Sequence, residues 1–457
     1  MKDIIQVDCH DFYRMRDDRT QAYINQAWGP VSSVRVAIDM ESAQTEVGQH
    51  LLLSLTNLLA RTHRRIIFTL PAPPIPLRTF SLVHAKTLQE AAVEMARAID
   101  PCGTFTWAAT GGDFALGIGP DAEVGLDWYL GADRAIAFLA TQPAALNIGA
   151  RGSMRGAGLA ACLGAAAAFK AEIGSPIVAR VVSAWNYMEG DAAEAGPDDL
   201  ESVNVGRVLM VGAGAVASGL VYWLHSWGVQ GDWTLVDRDN VKLHNTNRGL
   251  LFIPSDAGWP AGQGRAKVDL LARLLPRARR IEKWFEEAEE IHDARFDVVL
   301  ALANEHGVRE QLAHRNSSVL LHATTGRNWL SQLHRHVASR DDCIDCRLHE
   351  VKEVAFKCST VEVHHEHEEQ VDAALPFLSA ASGLMLTTLL QRLAVGALME
   401  TAANNWRWDF LSSHVMAARP GRSKCRSDCS SWYPPSVRAK ANAGTAWSHL
   451  DRSTRIS

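Results

Sequence analysis

The chain has 457 residues, 47% of them hydrophobic, and a formal net charge of -5. That is more length than one ordinary domain uses and enough apolar content for a large core, so two or three packed units are expected. The slight acidity offers no basic field to nucleic acid or to an anionic membrane, and neither is expected as a partner.

The opening residues, Met1 to Asp18, hold no apolar run of the kind a secretory signal uses, and their acidic side chains do not suit a mitochondrial presequence. A cytoplasmic protein is expected. Next, "SVRVAI" (Ser33 to Ile38) predicts a strand, "HLLLSLTNLLA" (His50 to Ala60) a helix, and "RRIIFTL" (Arg64 to Leu70) a second strand. The connection "DMESAQTEVG" has no glycine turn, and Met40, Glu41 and Gln44 would obstruct a phosphate there. The alanine-rich run from Arg155 to Gly174 predicts a helix whose small residues let neighbours come close. The acidic segment Met188 to Asn204, rich in small residues, reads as a linker, giving a first unit 1–190, a linker 191–202 and a second unit 203–457.

In the second unit Val208 to Val211 predicts a strand, followed by a glycine turn, a helix to about Trp227 and a strand at Trp233 to Val236. A helix near Lys267 to Leu275 and strands at Phe296 to Leu302 and Ser318 to Thr324 follow. This alternation predicts an α/β fold with a mainly parallel sheet, and the first unit reads as a degenerate sibling of the second. The apolar run Ala373 to Leu390 is broken by Pro376 and Gly383, so a buried helix is expected there in place of a membrane span.

In "GAGAVAS", Gly212 and Gly214 can bring backbone N–H groups against phosphate at a helix N-terminus, with Ala217 where the usual fingerprint has a third glycine. The turn by itself is compatible with NAD, FAD or ATP. Asp237 closes the second strand, where a carboxylate takes ribose hydroxyls, and Asp239, Asn245, Asn247 and Arg248 follow in "LVDRDNVKLHNTNRG". A hydride acceptor has no use for that set. A nucleoside triphosphate has, because attack at phosphorus builds negative charge that Arg248 and Lys267, in "GQGRAK", would stabilise. Arg265 is the weaker cation of that stretch.

Among eight cysteines, "CIDC" (Cys343, Cys346) and "CRSDC" (Cys425, Cys429) form two close pairs, enough for a closed tetrahedral zinc site of structural type. Cys358, between them, is either a nucleophile whose pKa Lys357 lowers or a buried inert thiol. Cys9, Cys102 and Cys162 have no such context. The run "HHEHEE" (His364 to Glu369) reads as a charged loop.

The ordered set "GAGAVAS", "DRD", "NTNR" and "GQGRAK" resembles the adenylating enzymes of the ubiquitin-activating (E1), ThiF and MoeB superfamily, over about Val203 to Tyr433. The resemblance implies two Rossmann-like adenylation-type domains, the N-terminal one degenerate and the C-terminal one active, with a zinc-stapled segment. It implies that Asp237 and Asp239 serve the nucleotide and that Asn245, Arg248 and Lys267 handle the ATP phosphates. Where the family has a magnesium-binding aspartate this chain has Asn304, an uncharged and weaker ligand, with Glu305 beside it. An opening helix, Asp18 to Ile38, is similar to the one whose arginine reaches across to ATP in the partner domain; Arg19 matches best, with Arg16 and Arg14 behind it.

The expected function is therefore ATP- and magnesium-dependent adenylation of a ubiquitin-like β-grasp protein at its C-terminal carboxylate. Thioester formation on Cys358 and transfer to an E2-like carrier would follow. The two-half layout is similar to compact E1-like chains of bacterial antiphage conjugation operons, acting as a monomer of two halves or as a homodimer. Two other readings stand beside it: adenylation of a sulfur carrier or small peptide, and a catalytically dead module that only holds a ubiquitin-like protein. A nicotinamide oxidoreductase would leave Asn245 and Arg248 without a task.

Overall fold

A computed structural model describes residues 8–20, 32–149, 151, 153–198, 200, 203–303, 306–313, 319–326, 329–337, 340–348, 375–400, 402–418 and 425. The first helix, α1 (Cys9–Arg16), is capped by Asp8, whose carboxylate accepts from the His10 and Asp11 N–H groups. It lies upstream of the expected Asp18 to Ile38 helix. Residues 18–20 are helical too, but the last part of that span is strand, because β-branched Val34, Val36 and Ile38 suit a pleated surface.

The first sheet contains β1 (Val34–Ile38), β2 (Arg65–Thr69), β3 (Thr104–Trp107), β4 (Phe114–Ile118), β5 (Trp128–Asp133), β6 (Ile136–Ala140) and β7 (Arg180–Ser183). The second contains β8 (Asn204–Val211), β9 (Gln230–Val236), β10 (Arg279–Ile281), β11 (Val298–Ala301), β12 (Val319–Gly326), β13 (Leu330–Val337), β14 (Asn405–Asp409) and β15 (His414–Ala418). Their strand orders are β3-β2-β1-β4-β5-β6-β7 and β10-β9-β8-β11-β12-β13-β14-β15, the same succession with one strand added. In each, the first five strands pair parallel, and the next two join antiparallel. Equal order together with an equal switch of direction supports an α/β fold built twice.

Four helices lie between the sheets: α2 (Glu46–Leu59), α3 (Ser153–Glu172), α4 (Ala215–Ser226) and α6 (Pro376–Ala394); the short α5 (Lys267–Ala272) sits beside the second sheet's edge. The alanine and glycine content of α3 permits the close contact expected of it. A Cβ on Gly158 would come within 2.9 Å of the Trp223 ring across the halves. Where α4 crosses α6, a Cβ on Gly383 would lie 2.4 Å from the Leu220 nitrogen, so only glycine lets these backbones meet. The helix α6 is buried from Pro376 to Leu393, and among the described residues no helix is long and apolar enough to cross a membrane. Polar bonds stitch the halves where apolar packing alone would slide: Tyr187 donates to the Met385 carbonyl at 3.0 Å and Trp227 Nε1 to His50 Nε2 at 3.3 Å.

Two features of the first half answer sequence expectations. After β1 the position held by Gly212 in the second half is Asp39, whose carboxylate accepts from the Ser42 N–H (2.7 Å) and the Asp121 N–H (3.0 Å). An internal carboxylate thus takes the N–H groups that would face a phosphate, the physical form of the degeneracy. In addition, Cys9 and Cys102 form a disulfide across 93 residues of sequence, a pairing that their sequence context does not suggest.

Candidate active site

The C-terminal ends of β8 and β9 open into a cleft of about 390 Å³. At its floor β8 turns into α4 through Gly212, Ala213 and Gly214. Gly212 has φ +98°, and a Cβ there would stand 2.5 Å from the Ala303 nitrogen, so the turn can pass the β11 end only as glycine. Around Gly214 there is open space instead: a Cβ would meet nothing within 4 Å in the protein, which leaves room for a ligand above the α4 N-terminus.

Asp237 ties this turn to the end of β9. One carboxylate oxygen accepts the Ala213 N–H at 2.6 Å and the other the Asp239 N–H at 2.8 Å. A carboxylate has lone pairs beyond those two bonds, so a ribose hydroxyl can still be accepted. Lys267, at the first position of α5, reaches Asp239 with its Nζ at 2.7 Å. The residue is 8% exposed, and its backbone N–H donates to the Asp239 carbonyl at 2.9 Å.

The segment after Asp239 forms a single 3-10 turn, Leu243–Asn245. The Asn245 side chain accepts the Lys242 N–H at 2.8 Å, fixing that turn, and Arg248 donates to the His244 carbonyl at 3.2 Å. Asn247 is fully buried and donates to the Thr20 hydroxyl at 3.0 Å. That bond joins the second half to the short helical segment that presents Arg19 to the same cleft. Of the other arginines considered, Arg16 is buried between Asp17 (2.6 Å) and Asp100 (3.1 Å), and Arg14 is an exposed partner of Asp11. Arg265 pairs with Asp256 at 3.0 Å and does not line the cleft.

Among the described residues lining the cleft, Arg19, Arg238, Lys242, Arg248, Lys267 and Lys283 are cationic, against two carboxylates, Asp237 and Asp239. Burial, and then the nearby Arg248, Arg19, Lys242 and Lys267, push His244 down to about 2, so its imidazole is neutral. Such a cleft suits a polyphosphate. Sequence reasoning missed Lys242, Lys283, His244 and the Arg238 guanidinium stacked 3.5 Å over the Trp284 ring. The clustering of "DRDNVK" and "EKW" at two adjacent strand ends was the available signal. Thr324, Thr325 and Ser379 line the far side. Asn304 and Glu305 lie outside the described residues, directly after Ala303, which lines the cleft.

Away from the cleft, the sulfurs of Cys343, Cys346 and Cys425 all lie within 4.8 Å of one another. The Cys343 N–H points to the Cys425 sulfur at 3.3 Å and the Cys346 N–H to the Cys343 sulfur at 3.2 Å. Three soft sulfur donors with N–H groups turned toward them fit a tetrahedral zinc, and Cys429, the expected fourth ligand, lies outside the described residues. The bend that places Cys343 is held by buried ion pairs, Arg335 with Asp341 (3.0 Å) and Arg347 with Asp342. Cys358 and the run His364 to Glu369 also lie outside the described residues. Three buried neutral histidines next to the bend, His322, His334 and His336, went unremarked in the sequence reading; His336 Nδ1 donates to the Asp342 carbonyl at 2.7 Å.

Comparison with known proteins bears on this site. The ThiF family profile matches residues 189–430, just over half of the chain, and includes the whole cleft except Arg19. No curated protein matches. Among solved structures, MccB of E. coli with AMPCPP and MccA is 15% identical over 50% of this chain and 66% of that one, with a TM-score of 0.38. Another MccB structure, described as a Microcin C7 biosynthetic enzyme in complex with N-formylated MccA, is 15% identical over 50% of this chain and 67% of that one, TM-score 0.37. PaaA is 14% identical over 47% of this chain and 64% of its own, TM-score 0.35. This chain spans about two thirds of the length of those proteins, just under it for the first of them. On the extent of the profile match, the chain belongs to the ThiF family.

Proposed function

We propose that the chain adenylates the C-terminal carboxylate of a ubiquitin-like β-grasp protein and passes the acyl group through Cys358 to an E2-like carrier. The observation that carries this reading is the convergence, in one cleft, of the Gly212–Gly214 turn with Asn245, Arg248 and Lys267 from one half and Arg19 from the N-terminal segment. Family membership supports the adenylation step. The proposed division of labour follows the sequence units 1–190 and 203–457: the first braces, the second binds ATP.

In this reading the α4 N-terminus and turn seat the phosphates, and Asp237 receives the ribose. The partner's carboxylate oxygen attacks the α-phosphorus. A new O–P bond forms, the bridging bond to the β-phosphate breaks, and its electron pair leaves with pyrophosphate. Arg19, Arg248 and Lys267 neutralise the charge that builds on the departing group. In the second step the Cys358 thiolate attacks the acyl carbon, the C–S bond forms and AMP departs. Zinc on Cys343, Cys346, Cys425 and Cys429 would staple the segment that carries Cys358.

The test is ATP–pyrophosphate exchange by purified protein with magnesium and any small β-grasp protein encoded beside it. Exchange that requires the partner's C-terminal residue supports adenylation. A hydroxylamine-labile adduct lost in Cys358→Ala supports the thioester; a thiocarboxylate on the partner would redirect the reading to sulfur transfer. Tight partner binding with no exchange would overturn the enzyme reading.

A further inference from the structure

We infer that Arg61, in the first half, is a positioning residue for the phosphate-handling loop of the second half. The inference rests on the adenylation reading for its consequence, and on geometry alone for the clamp. Arg61 follows α2 and is fully buried. Its Nε donates to the Asn57 side chain at 2.9 Å, which sets the plane of the guanidinium. One terminal nitrogen donates to the Phe252 carbonyl at 2.9 Å and to the Thr246 carbonyl, and the other to the Leu250 carbonyl at 2.8 Å. Asn57 adds a second bond to the Leu250 carbonyl at 3.1 Å.

Three carbonyls within seven residues are thus gathered on one rigid fork. Between the first two lie Asn247 and Arg248. Each carbonyl held fixes a peptide plane, so the fork determines which way the chain turns as it leaves Asn245. The far end of the loop is held from the other side, where the Leu251 N–H donates to the Ser218 hydroxyl of α4 at 2.9 Å. The loop is therefore clamped between the first half and the helix that begins at the phosphate turn.

A role in stability alone is a poor explanation. Among the described residues no carboxylate pairs with Arg61, and burial pulls its pKa down to about 9. Burying a charge that has no ion-pair partner costs free energy, so the charge of Arg61 by itself does not stabilise the fold. What apolar packing lacks is a planar set of five donors with fixed directions. That set is what a loop with three inward carbonyls requires, since each carbonyl left unpaired would seek other partners and carry the loop with it.

The experiment compares full-length wild type, Arg61→Met and Arg61→Lys by amide hydrogen exchange and by calorimetric titration with ATP and magnesium. Arg61→Met is expected to raise exchange at residues 245–252 by about tenfold to hundredfold, while both sheets keep wild-type protection. Arg61→Lys, which retains charge and some donors, is expected to fall between, and ATP affinity to follow the same ranking. If Arg61→Met does not fold, Arg61→Lys carries the test: wild-type exchange at 245–252 in it overturns the clamp. The same wild-type exchange in a folded Arg61→Met overturns it as well. A wild-type chain that does not bind ATP would sink the adenylation reading, and the exchange data would still decide the clamp.

Discussion

Replacing Lys267 by alanine separates catalysis from stability, because the two roles of this side chain differ greatly in size. In the resting protein its partner Asp239 is 54% exposed at the side chain, although the Lys267 side chain is only 10% exposed. Water screens such a pair, and its loss costs about 1 kcal/mol or less. A change of that size lowers Tm by about 2–4 °C. During pyrophosphate departure the same ammonium faces charge that builds inside a cleft. Removing one preorganised donor from a comparable site costs about 3 kcal/mol, or on the order of a hundredfold in rate. Pyrophosphate exchange is therefore expected to fall about 10²-fold to 10³-fold in Lys267→Ala with little thermal shift. Arg265→Ala, whose side chain is 49% exposed and paired outside the cleft, serves as the control and should keep the rate within about twofold. A loss under about threefold in Lys267→Ala, or a collapse of Tm, would refute the assignment of Lys267 to the transition state.

Other perturbations test separate parts of the structure. Gly212→Ala puts a Cβ against the Ala303 backbone at φ +98°, so ATP affinity measured by calorimetry should fall at least about tenfold, since an L side chain there costs about 1–2 kcal/mol before the clash is counted; unchanged affinity would mean that the turn does not seat the nucleotide. Asn247→Ala leaves the Thr20 contact unmade, and exchange activity should drop about tenfold, as for the loss of one buried hydrogen bond, with ATP binding less affected. Cys343→Ser should lower the zinc content seen by elemental analysis and reduce Tm, whereas equal zinc in wild type and variant would exclude this cysteine as a ligand.

The fully buried His50 and His63 predict acid sensitivity. Burial depresses them to about 3 and about 4, and the Trp227 indole N–H donates to His50 Nε2, which must be unprotonated to accept it. Below pH 6.5 the unfolded chain binds protons that the folded chain does not, so stability falls with pH. Each histidine contributes about 1.4 kcal/mol per pH unit between about pH 6.5 and pH 4. Tm should drop steeply from pH 6.5 to pH 5.5, and a flat profile there would show that these imidazoles are not held neutral.

Local chemistry made much of the fold and site legible in the sequence. The β8–turn–α4 unit announces itself because a strand run, Gly212, Gly214 and an apolar helix are contiguous, and the order Asp237, Asn245, Arg248, Lys267 survives folding as a ring around one cleft. The degenerate first half was readable from Asp39 to Gln44 because the side chains that replace a glycine turn sit in the turn itself. Periodicity placed α3 and α6 within a few residues.

Several contacts between distant segments were decided by the tertiary structure alone. The Cys9–Cys102 disulfide, the Asn247–Thr20 bond that brings the Arg19 segment to the cleft, and the Arg61 fork on the Thr246, Leu250 and Phe252 carbonyls join residues 93 to 227 positions apart. No spacing rule encodes such partners. The last two follow from how the first half packs on the second, and that packing is fixed by burial of the whole apolar face, not by any single residue. The sequence thus determined which chemical groups the site contains. Only the packing of one half on the other decided what holds them in place.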